Sequence, residues 1–151
     1  MTIKRYAEDF RVEEILSNSV SQSVTSSSGR FALYSLEKSG LTTPDAVLAL
    51  CRTLGVPGSA ASYAGLKDKH AHTIQHVAVD VNALVGRDPV KELEGKGWSA
   101  QLLGGLDGPL GASAIAGNRF HICVRGLSAR ACQTMDEAQR HVHNFYCRQA
   151  E

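Results

Sequence analysis

The chain has 151 residues and a mass of 16.2 kDa, enough for one domain with a sizeable core. Its 43% apolar and 21% charged residues exclude a disordered or collagen-like chain, and its longest apolar run, residues 46–51, is far shorter than the roughly 20 residues of a membrane helix. The net charge of +1 excludes a strongly basic protein. Because no apolar signal segment follows Met1, we expect a cytoplasmic protein with no membrane partner.

The first third of the chain predicts two strands separated by a serine-rich stretch. Residues 10–16 (FRVEEIL) predict a strand with Phe10 and Val12 on one face. Residues 17–29 hold seven serines and predict a flexible surface loop. Residues 30–36 (RFALYSL) predict the second strand.

A helix follows, with signals at both of its ends. Thr42 is suited to the N-cap and Pro44 to the first turn. Apolar residues then recur at helical spacing as far as Leu54, and Gly55 is a natural terminator. We expect this helix to cover a sheet.

The middle of the chain predicts further short elements. Residues 62–66 and 73–81 predict strands on either side of a polar turn at 67–70. Asp88 and Pro89 are typical of a helix start, so residues 88–94 predict a short helix. Residues 98–103 predict a weak strand.

The last part of the chain predicts one strand and one helix. Residues 119–125 (RFHICVR) alternate between apolar and polar side chains, as in a strand with one covered face. Ser128 is suited to cap a helix whose apolar stripe comprises Ala131, Met135, Ala138 and Val142. Together the elements predict a single α+β domain over residues 1–151, with a mixed, mostly antiparallel sheet and helices on one face.

Two residue types raise the question of a metal site. The pairs His70/His72 and His141/His143 leave open a metal-dependent hydrolase. The second pair lies in the predicted helix, where residues i and i+2 do not share a face, and the first has no acidic or cysteine ligand at metal spacing. We therefore expect no metal. The four cysteines are expected to be buried free thiols rather than disulfides.

The densest polar cluster of the sequence is residues 65–75 (GLKDKHAHTIQ). In it Asp68 stands between Lys67 and Lys69, and nearby positive charges keep a carboxylate ionised. Such a group is suited to nucleophilic work or to chemistry beside phosphates. From these residues alone, a solvated surface turn is the favoured interpretation.

Three stretches of the chain resemble the tRNA pseudouridine synthase D (TruD) family, in the family's order. Residues 8–14 (EDFRVEE) resemble its motif E-D-F-x-V-x-E. Residues 65–75 resemble G-x-K-D-x-x-A-x-T-x-Q, and residues 117–120 (GNRF) match G-N-R-F. The second motif is long and specific, and the ordered set of three makes coincidence a poor explanation.

The resemblance implies roles for individual residues. By this resemblance Asp68 is the catalytic residue. Lys67 is expected to help set the charge and the position of that aspartate. It assigns Asn118 and Phe120 to the uridine pocket, with the aromatic ring packing against the base. The remaining motif positions are expected near RNA: Lys69, His70, Thr73, Gln75, Arg119 and Asn144.

The activity that the resemblance implies is isomerisation of uridine to pseudouridine in tRNA, at uridine 13 of the D arm, with no metal or organic cofactor. The reaction breaks the C1′–N1 bond, turns the uracil and rejoins it through C5. The nucleotide must leave its stack, so the site needs an aromatic surface and a carboxylate. Whether the carboxylate attacks C1′, attacks the base or removes a sugar proton is left open.

The chain also departs from the family pattern. Family members are much longer, so the resemblance implies the N-terminal half of a pseudouridine synthase-like catalytic domain. Residues 144–149 (NFYCRQ) look like a degraded start of the next motif, N-Y-F-G-x-Q-R-F-G. Residues 110–116, which correspond to a basic stretch in the family, carry no Lys or Arg.

These departures lead to two further expectations. We expect the chain by itself to be weakly active or inactive, and the alternative function is a catalytically silent module that binds RNA or a protein. Half a sheet leaves an open edge, and open edges are usually covered. We therefore expect a homodimer formed through this edge and the aromatic residues Phe145 and Tyr146.

Overall fold

The computed structural model describes residues 2–3, 6–25, 29–126, 128 and 130. Two α-helices and nine strands lie within this part of the chain, besides four short 3-10 turns. In chain order they are β1 (Thr2–Ile3), β2 (Phe10–Leu16), α1 (Asn18–Ser23), β3 (Phe31–Lys38), α2 (Thr43–Leu54), β4 (Ala61–Tyr63), β5 (His72–Asp80), β6 (Glu92–Gly95), β7 (Trp98–Leu106), β8 (Ile115–Ile122) and β9 (Val124–Arg125).

Seven of the strands form one sheet in the order β6-β7-β3-β5-β2-β8, and β4 also pairs with β5. All pairs are antiparallel except β2 with β5, which run parallel. Strands β1 and β9 form a separate antiparallel pair. The prediction of an α+β fold with a mixed, mostly antiparallel sheet is confirmed.

Helix α2 covers one face of this sheet, as predicted. Thr42 caps its N-terminus by accepting a hydrogen bond from the backbone of Asp45, and Gly55 ends it in the left-handed conformation, with φ of 69°. The apolar side of the helix packs on alternate residues of the central strands, which therefore share one face. This core includes Tyr34, Leu36, Leu50, Cys51, Leu54, Val77, Val79 and Ala100.

A second, smaller cluster lies on the opposite face and includes part of the serine-rich stretch. Its buried members are Phe31, Leu33, Ala78, Leu106, Leu110 and Ala114. Val20 of helix α1 and Val24, which follows the helix, pack against it. The prediction of a loop is wrong over residues 18–23, because Val20 packs against this cluster and Ser17 caps helix α1.

The predicted short helix at residues 88–94 is also wrong. Residues 92–95 form strand β6, which pairs with the start of β7. Gly97 closes the hairpin with φ of 77°, a conformation that favours glycine. Pairing with β7 therefore decides the structure of this segment, and β7 itself extends to Leu106.

The remaining predictions concern the cysteines, a membrane helix and the last part of the chain. Cys51 is free and buried, whereas Cys123 is free but exposed. Within the described ranges, no helix is long and apolar enough to cross a membrane. The predicted final helix with its stripe 131–142, the cysteines at 132 and 147, and residues 144–149 lie outside the described residues.

Candidate active site

The residues of the K-D motif lie in the segment 64–71, which joins β4 to β5 and is called the K-D loop here. Its first anchor is a buried polar chain that starts at helix α2. The backbone N–H of Lys67 donates to Thr43 Oγ1 at 2.9 Å. The Thr43 hydroxyl in turn donates to Gln75 Oε1 at 2.9 Å. The loop backbone is thereby tied to both α2 and β5.

The second anchor is a buried lysine at the end of β3. Lys38 is 1% exposed, and its ammonium donates to the carbonyl oxygens of Leu41 at 2.9 Å and Asp68 at 3.0 Å. Burial lowers the pKa of Lys38, and the negative charge of Asp68 partly offsets that effect. A positive charge therefore lies directly beneath the loop at the predicted catalytic position.

The third anchor is Glu14 of strand β2, whose side chain is fully buried. Its Oε2 lies 2.7 Å from the ammonium of Lys67. Its Oε1 accepts from the backbone N–H of His76 at 3.0 Å and lies 3.1 Å from the Nδ1 of the same residue. Burial alone raises the pKa of Glu14, but the contacts with His76 and Lys67 outweigh it and lower the pKa below its ordinary value.

Glu14 is the site residue that sequence reasoning missed. It is the last acid of the motif at residues 8–14, so the motif itself contained the signal. Nothing local to that strand distinguishes it from its neighbour Glu13, which points the other way and pairs with Arg119 at 3.1 Å on the surface. Only the fold shows which of the two carboxylates is buried.

The carboxylate of Asp68 lies on the outer side of the K-D loop. Its side chain is exposed, and Oδ1 accepts from the backbone N–H of His70 at 2.9 Å. This bond closes a local turn of the type that aspartate favours. The structure thus presents an exposed carboxylate on a loop whose backbone is held from below.

Asn118 and Phe120 lie on strand β8, next to β2. In the register of these strands Asn118 pairs with Glu14 and Phe120 pairs with Val12. Directly paired residues of antiparallel strands share a face of the sheet, so Asn118, Phe120 and Glu14 lie on one face. The two motifs, far apart in sequence, therefore meet at strand β2, where Glu14 contacts Lys67.

The aromatic side of this region is open. Phe120 is 52% exposed, and its ring lies 6.1 Å from that of Phe10 at a tilt of 34°. Two aromatic rings thus stand side by side on β2 and β8, and among the described residues β8 pairs only with β2.

The other predicted positions divide into buried and exposed residues. Thr73 and Gln75 are fully buried, because they alternate toward the protein interior on β5. Their burial argues against the expectation that they lie near RNA and favours a structural role. Lys69 and His70 are exposed on the K-D loop. Arg119 is exposed on the side of β8 opposite Phe120.

Two histidines of strand β5 have carboxylate partners. His72 Nε2 lies 2.6 Å from Glu37 Oε1, and His76 contacts Glu14. In the part of the chain that the structure describes, no three His, Cys, Asp or Glu side chains are grouped to hold a metal ion.

Comparison with known proteins agrees with these motifs. The family model described as tRNA pseudouridine synthase D (TruD) matches residues 1–149. The tRNA pseudouridine synthase D of Aquifex aeolicus (strain VF5) is 30% identical over 149 residues, which cover 96% of this chain and 36% of that protein. That of Anaeromyxobacter sp. (strain Fw109-5) is 36% identical over 126 residues, which cover 83% of this chain and 34% of that protein.

A solved structure is similar as well. The crystal structure of the Methanosarcina mazei protein assigned as tRNA pseudouridine synthase D superposes with a TM-score of 0.66 at 26% identity. The match covers 83% of this chain and 27% of the other. The chain spans about a third of the length of the curated relatives it matches. With a family model that covers nearly all of its residues, the chain belongs to the tRNA pseudouridine synthase D (TruD) family.

Proposed function

We propose that this chain carries the catalytic-aspartate region of a tRNA pseudouridine synthase and isomerises uridine to pseudouridine, with uridine 13 of the D arm as its target. One observation carries the proposal. Glu14 links the K-D loop to strand β2, and β2 pairs with the strand that holds Asn118 and Phe120. This connection supports the proposal that Asp68, Asn118 and Phe120 belong to one site.

The proposed chemistry makes use of this arrangement. A nucleotide that leaves its stack needs a new surface for its base, and the half-exposed ring of Phe120 beside Phe10 offers one. The amide of Asn118 is exposed and can bond a uracil edge. Asp68 then acts on the sugar or the base, from a loop whose backbone is hydrogen-bonded to Thr43 and Lys38.

Contacts with the RNA backbone are proposed for the exposed cations near the site. Lys69 and Arg119 are exposed and can contact phosphates. The uncharged stretch 110–116 contributes differently, because Leu110 and Ala114 are buried in the second cluster. It serves the core of this protein, so tRNA affinity is expected to rest on few cations and to fall moderately with salt.

The test is direct formation of pseudouridine in an unmodified tRNA transcript. Protein in molar excess over RNA allows slow conversion to be seen, and mass spectrometry of the digested RNA locates the product. We expect pseudouridine that Asp68→Asn abolishes and that Asp107→Asn, a change of an exposed aspartate in the loop after β7, leaves intact. Absence of product under these conditions would contradict the proposal.

The second candidate is a catalytically silent module that binds RNA or a protein. It is favoured by one fact, that the chain spans only about a third of its relatives' length. Fluorescence anisotropy with labelled tRNA separates the two candidates. Binding without any pseudouridine formation would favour the module, whereas Asp68-dependent product would exclude it.

We also propose that the chain forms a two-fold dimer through strand β8. Among the described residues β8 pairs only with β2, so its other edge is open. Phe120 and Ile122 on this strand are 52% and 53% exposed. Open edges with exposed apolar side chains favour pairing, and a two-fold axis covers both copies at once. Sedimentation equilibrium at micromolar concentration tests this, and a monomer would contradict it.

A further inference from the structure

We propose that the interior beneath the K-D loop contains a binding site for one buried water molecule, formed by the side chains of Lys38, Thr73 and Gln75. The water completes the hydrogen bonding of these three groups and joins strand β3 to strand β5 through their side chains. The inference concerns only this part of the core, so it stands or falls independently of the proposed function.

The first argument is that two buried polar atoms need a partner. Thr73 and Gln75 are both 0% exposed and alternate toward the interior on β5. Among the described residues, Thr73 Oγ1 and Gln75 Nε2 have no hydrogen-bond partner. Leaving such a group unbonded destabilises a fold, and buried polar groups of native proteins are nearly always bonded to protein or to ordered water. Both atoms therefore require a partner that the described residues do not supply.

The second argument is the orientation of the Gln75 amide. Thr43 Oγ1 accepts from the backbone N–H of Lys67 at 2.9 Å, and the Thr43 hydroxyl donates to Gln75 Oε1 at 2.9 Å. This bond assigns the oxygen of the amide to Thr43. The NH2 group of Gln75 carries two donor hydrogens, so its partner must be a hydrogen-bond acceptor.

The third argument is a donor that remains on Lys38. An ammonium group has three N–H donors. Within the described part of the chain, Lys38 donates to two acceptors, the carbonyl oxygens of Leu41 and Asp68. Since Lys38 is 1% exposed, bulk solvent does not reach its third N–H. Hydrogen bonds from a charged donor are the stronger ones, so an acceptor bound here is held firmly.

The register of the sheet brings the three side chains together. Lys38 on β3 pairs directly with Thr73 on β5, and directly paired residues of antiparallel strands have Cβ atoms about 4.5–5.5 Å apart on one face. Gln75 follows two residues along β5 and shares that face. Water can accept from Lys38 and Gln75 and donate to Thr73, which gives it the two to four polar partners typical of buried water.

A crystal structure of the protein at high resolution tests the site directly. We expect one solvent molecule within about 3.2 Å of Lys38 Nζ, Thr73 Oγ1 and Gln75 Nε2. A structure in which no solvent molecule has these three contacts, as when the side chains bond one another directly, would overturn the inference.

Unfolding of Thr73→Val in urea tests the site in solution. Valine has nearly the shape of threonine but lacks the hydroxyl. If the hydroxyl accepts from a bound water, its loss is expected to raise the equilibrium constant for unfolding roughly fivefold. If the hydroxyl instead has no partner in the folded protein, its removal lowers that constant, because a desolvated polar group is lost. A lowered constant would contradict the proposal.

Two further variants serve as controls. Thr53→Val removes an exposed hydroxyl of helix α2, which donates to Ala49 O at 3.0 Å, and is expected to change the unfolding constant by no more than about twofold. Thr73→Ser keeps the hydroxyl, so its crystal structure is expected to retain the solvent molecule. Loss of that molecule in Thr73→Ser would contradict binding by the hydroxyl. If Thr73→Val does not fold, the crystal structure of the unmutated protein still decides.

Discussion

The sheet face beneath helix α2 has two ends of opposite character, although the same strands build both. Along β3, the residues that point to this face are Tyr34, Leu36 and then Lys38, all of them buried. Along β5, Val79 and Val77 are followed toward the loop by the buried polar side chains of Gln75 and Thr73. The change from an apolar to a polar interior takes place within two residues on each strand.

The apolar end and the polar end contribute differently to the stability of the fold. Burial of apolar side chains under α2 stabilises the fold. Burial of polar and charged groups costs free energy unless each is paired, and an apolar replacement of similar shape is often as stable. The polar end therefore has no advantage for stability. Its bonds to Lys67 and Asp68 point to another role, which is to fix the K-D loop.

The largest expected effect separates activity from stability at the polar end. Asp68→Asn is expected to abolish the slow pseudouridine formation proposed for this chain. The free energy of unfolding should change by no more than about 0.5 kcal/mol, because the side chain is exposed. Urea unfolding and the tRNA assay measure the two quantities. A large loss of stability would mean that Asp68 belongs to the structural network.

The reverse result is expected at the apolar end. Leu50→Ala removes a fully buried side chain from the core under α2, and such changes lower the free energy of unfolding by about 2–5 kcal/mol. Leu48→Ala is the control on the same helix, because Leu48 is 39% exposed. Urea unfolding of both variants tests this. A loss of less than 1 kcal/mol for Leu50→Ala would contradict the assignment of the core.

Alkaline pH is expected to lower the free energy of unfolding through Tyr34, which lies at the apolar end. Burial raises the pKa of Tyr34 to about 12, from an ordinary value of 10.0, and its hydroxyl donates to Val90 O at 3.1 Å. Between pH 10 and pH 12 the unfolded chain loses the phenolic proton while the folded chain keeps it. Stability therefore falls as pH rises, by up to ~1.4 kcal/mol per pH unit.

Tyr34→Phe provides the comparison for that effect. The variant keeps the ring but has no proton to lose, so its stability should decline less steeply between pH 10 and pH 12. Chemical unfolding at several pH values measures both curves. Parallel curves for the two proteins would show that Tyr34 does not carry the alkaline transition.

A small net change in stability is expected for Lys38→Met at the polar end. The variant removes a buried charge, which favours folding, and leaves the carbonyls of Leu41 and Asp68 without their donor, which opposes it. We expect these effects to cancel to within about 1 kcal/mol. Amide hydrogen exchange in the K-D loop should nevertheless become faster, since one anchor is lost. Unchanged exchange would show that Lys38 does not hold the loop, and Lys91→Met, an exposed lysine, is the control.

Several parts of the fold followed from local sequence. Strand β2 has the predicted bounds, and helix α2 begins after Thr42 and ends before Gly55 as its capping residues predict. Both depend on signals that neighbouring residues carry, namely alternation, helical spacing and capping. The motif at residues 65–75 identified the K-D loop in the same way, from contiguous residues.

Other parts were decided only when distant segments met. Helix α1 is stabilised because valines of the serine-rich stretch pack against an apolar cluster on the sheet. Strand β6 forms because it pairs with β7. Contacts between distant segments also decide which of Glu13 and Glu14 is buried. Adjacent acids of one strand look alike in sequence, but the bond from Glu14 to His76 spans 62 residues and exists only in the assembled sheet. The sequence by itself determined the family and the K-D loop, and it carries the prediction that Asp68 is the catalytic residue. The tertiary structure decided which carboxylate is buried beneath that loop, because burial and ion pairing depend on contacts between residues that the chain brings together only on folding.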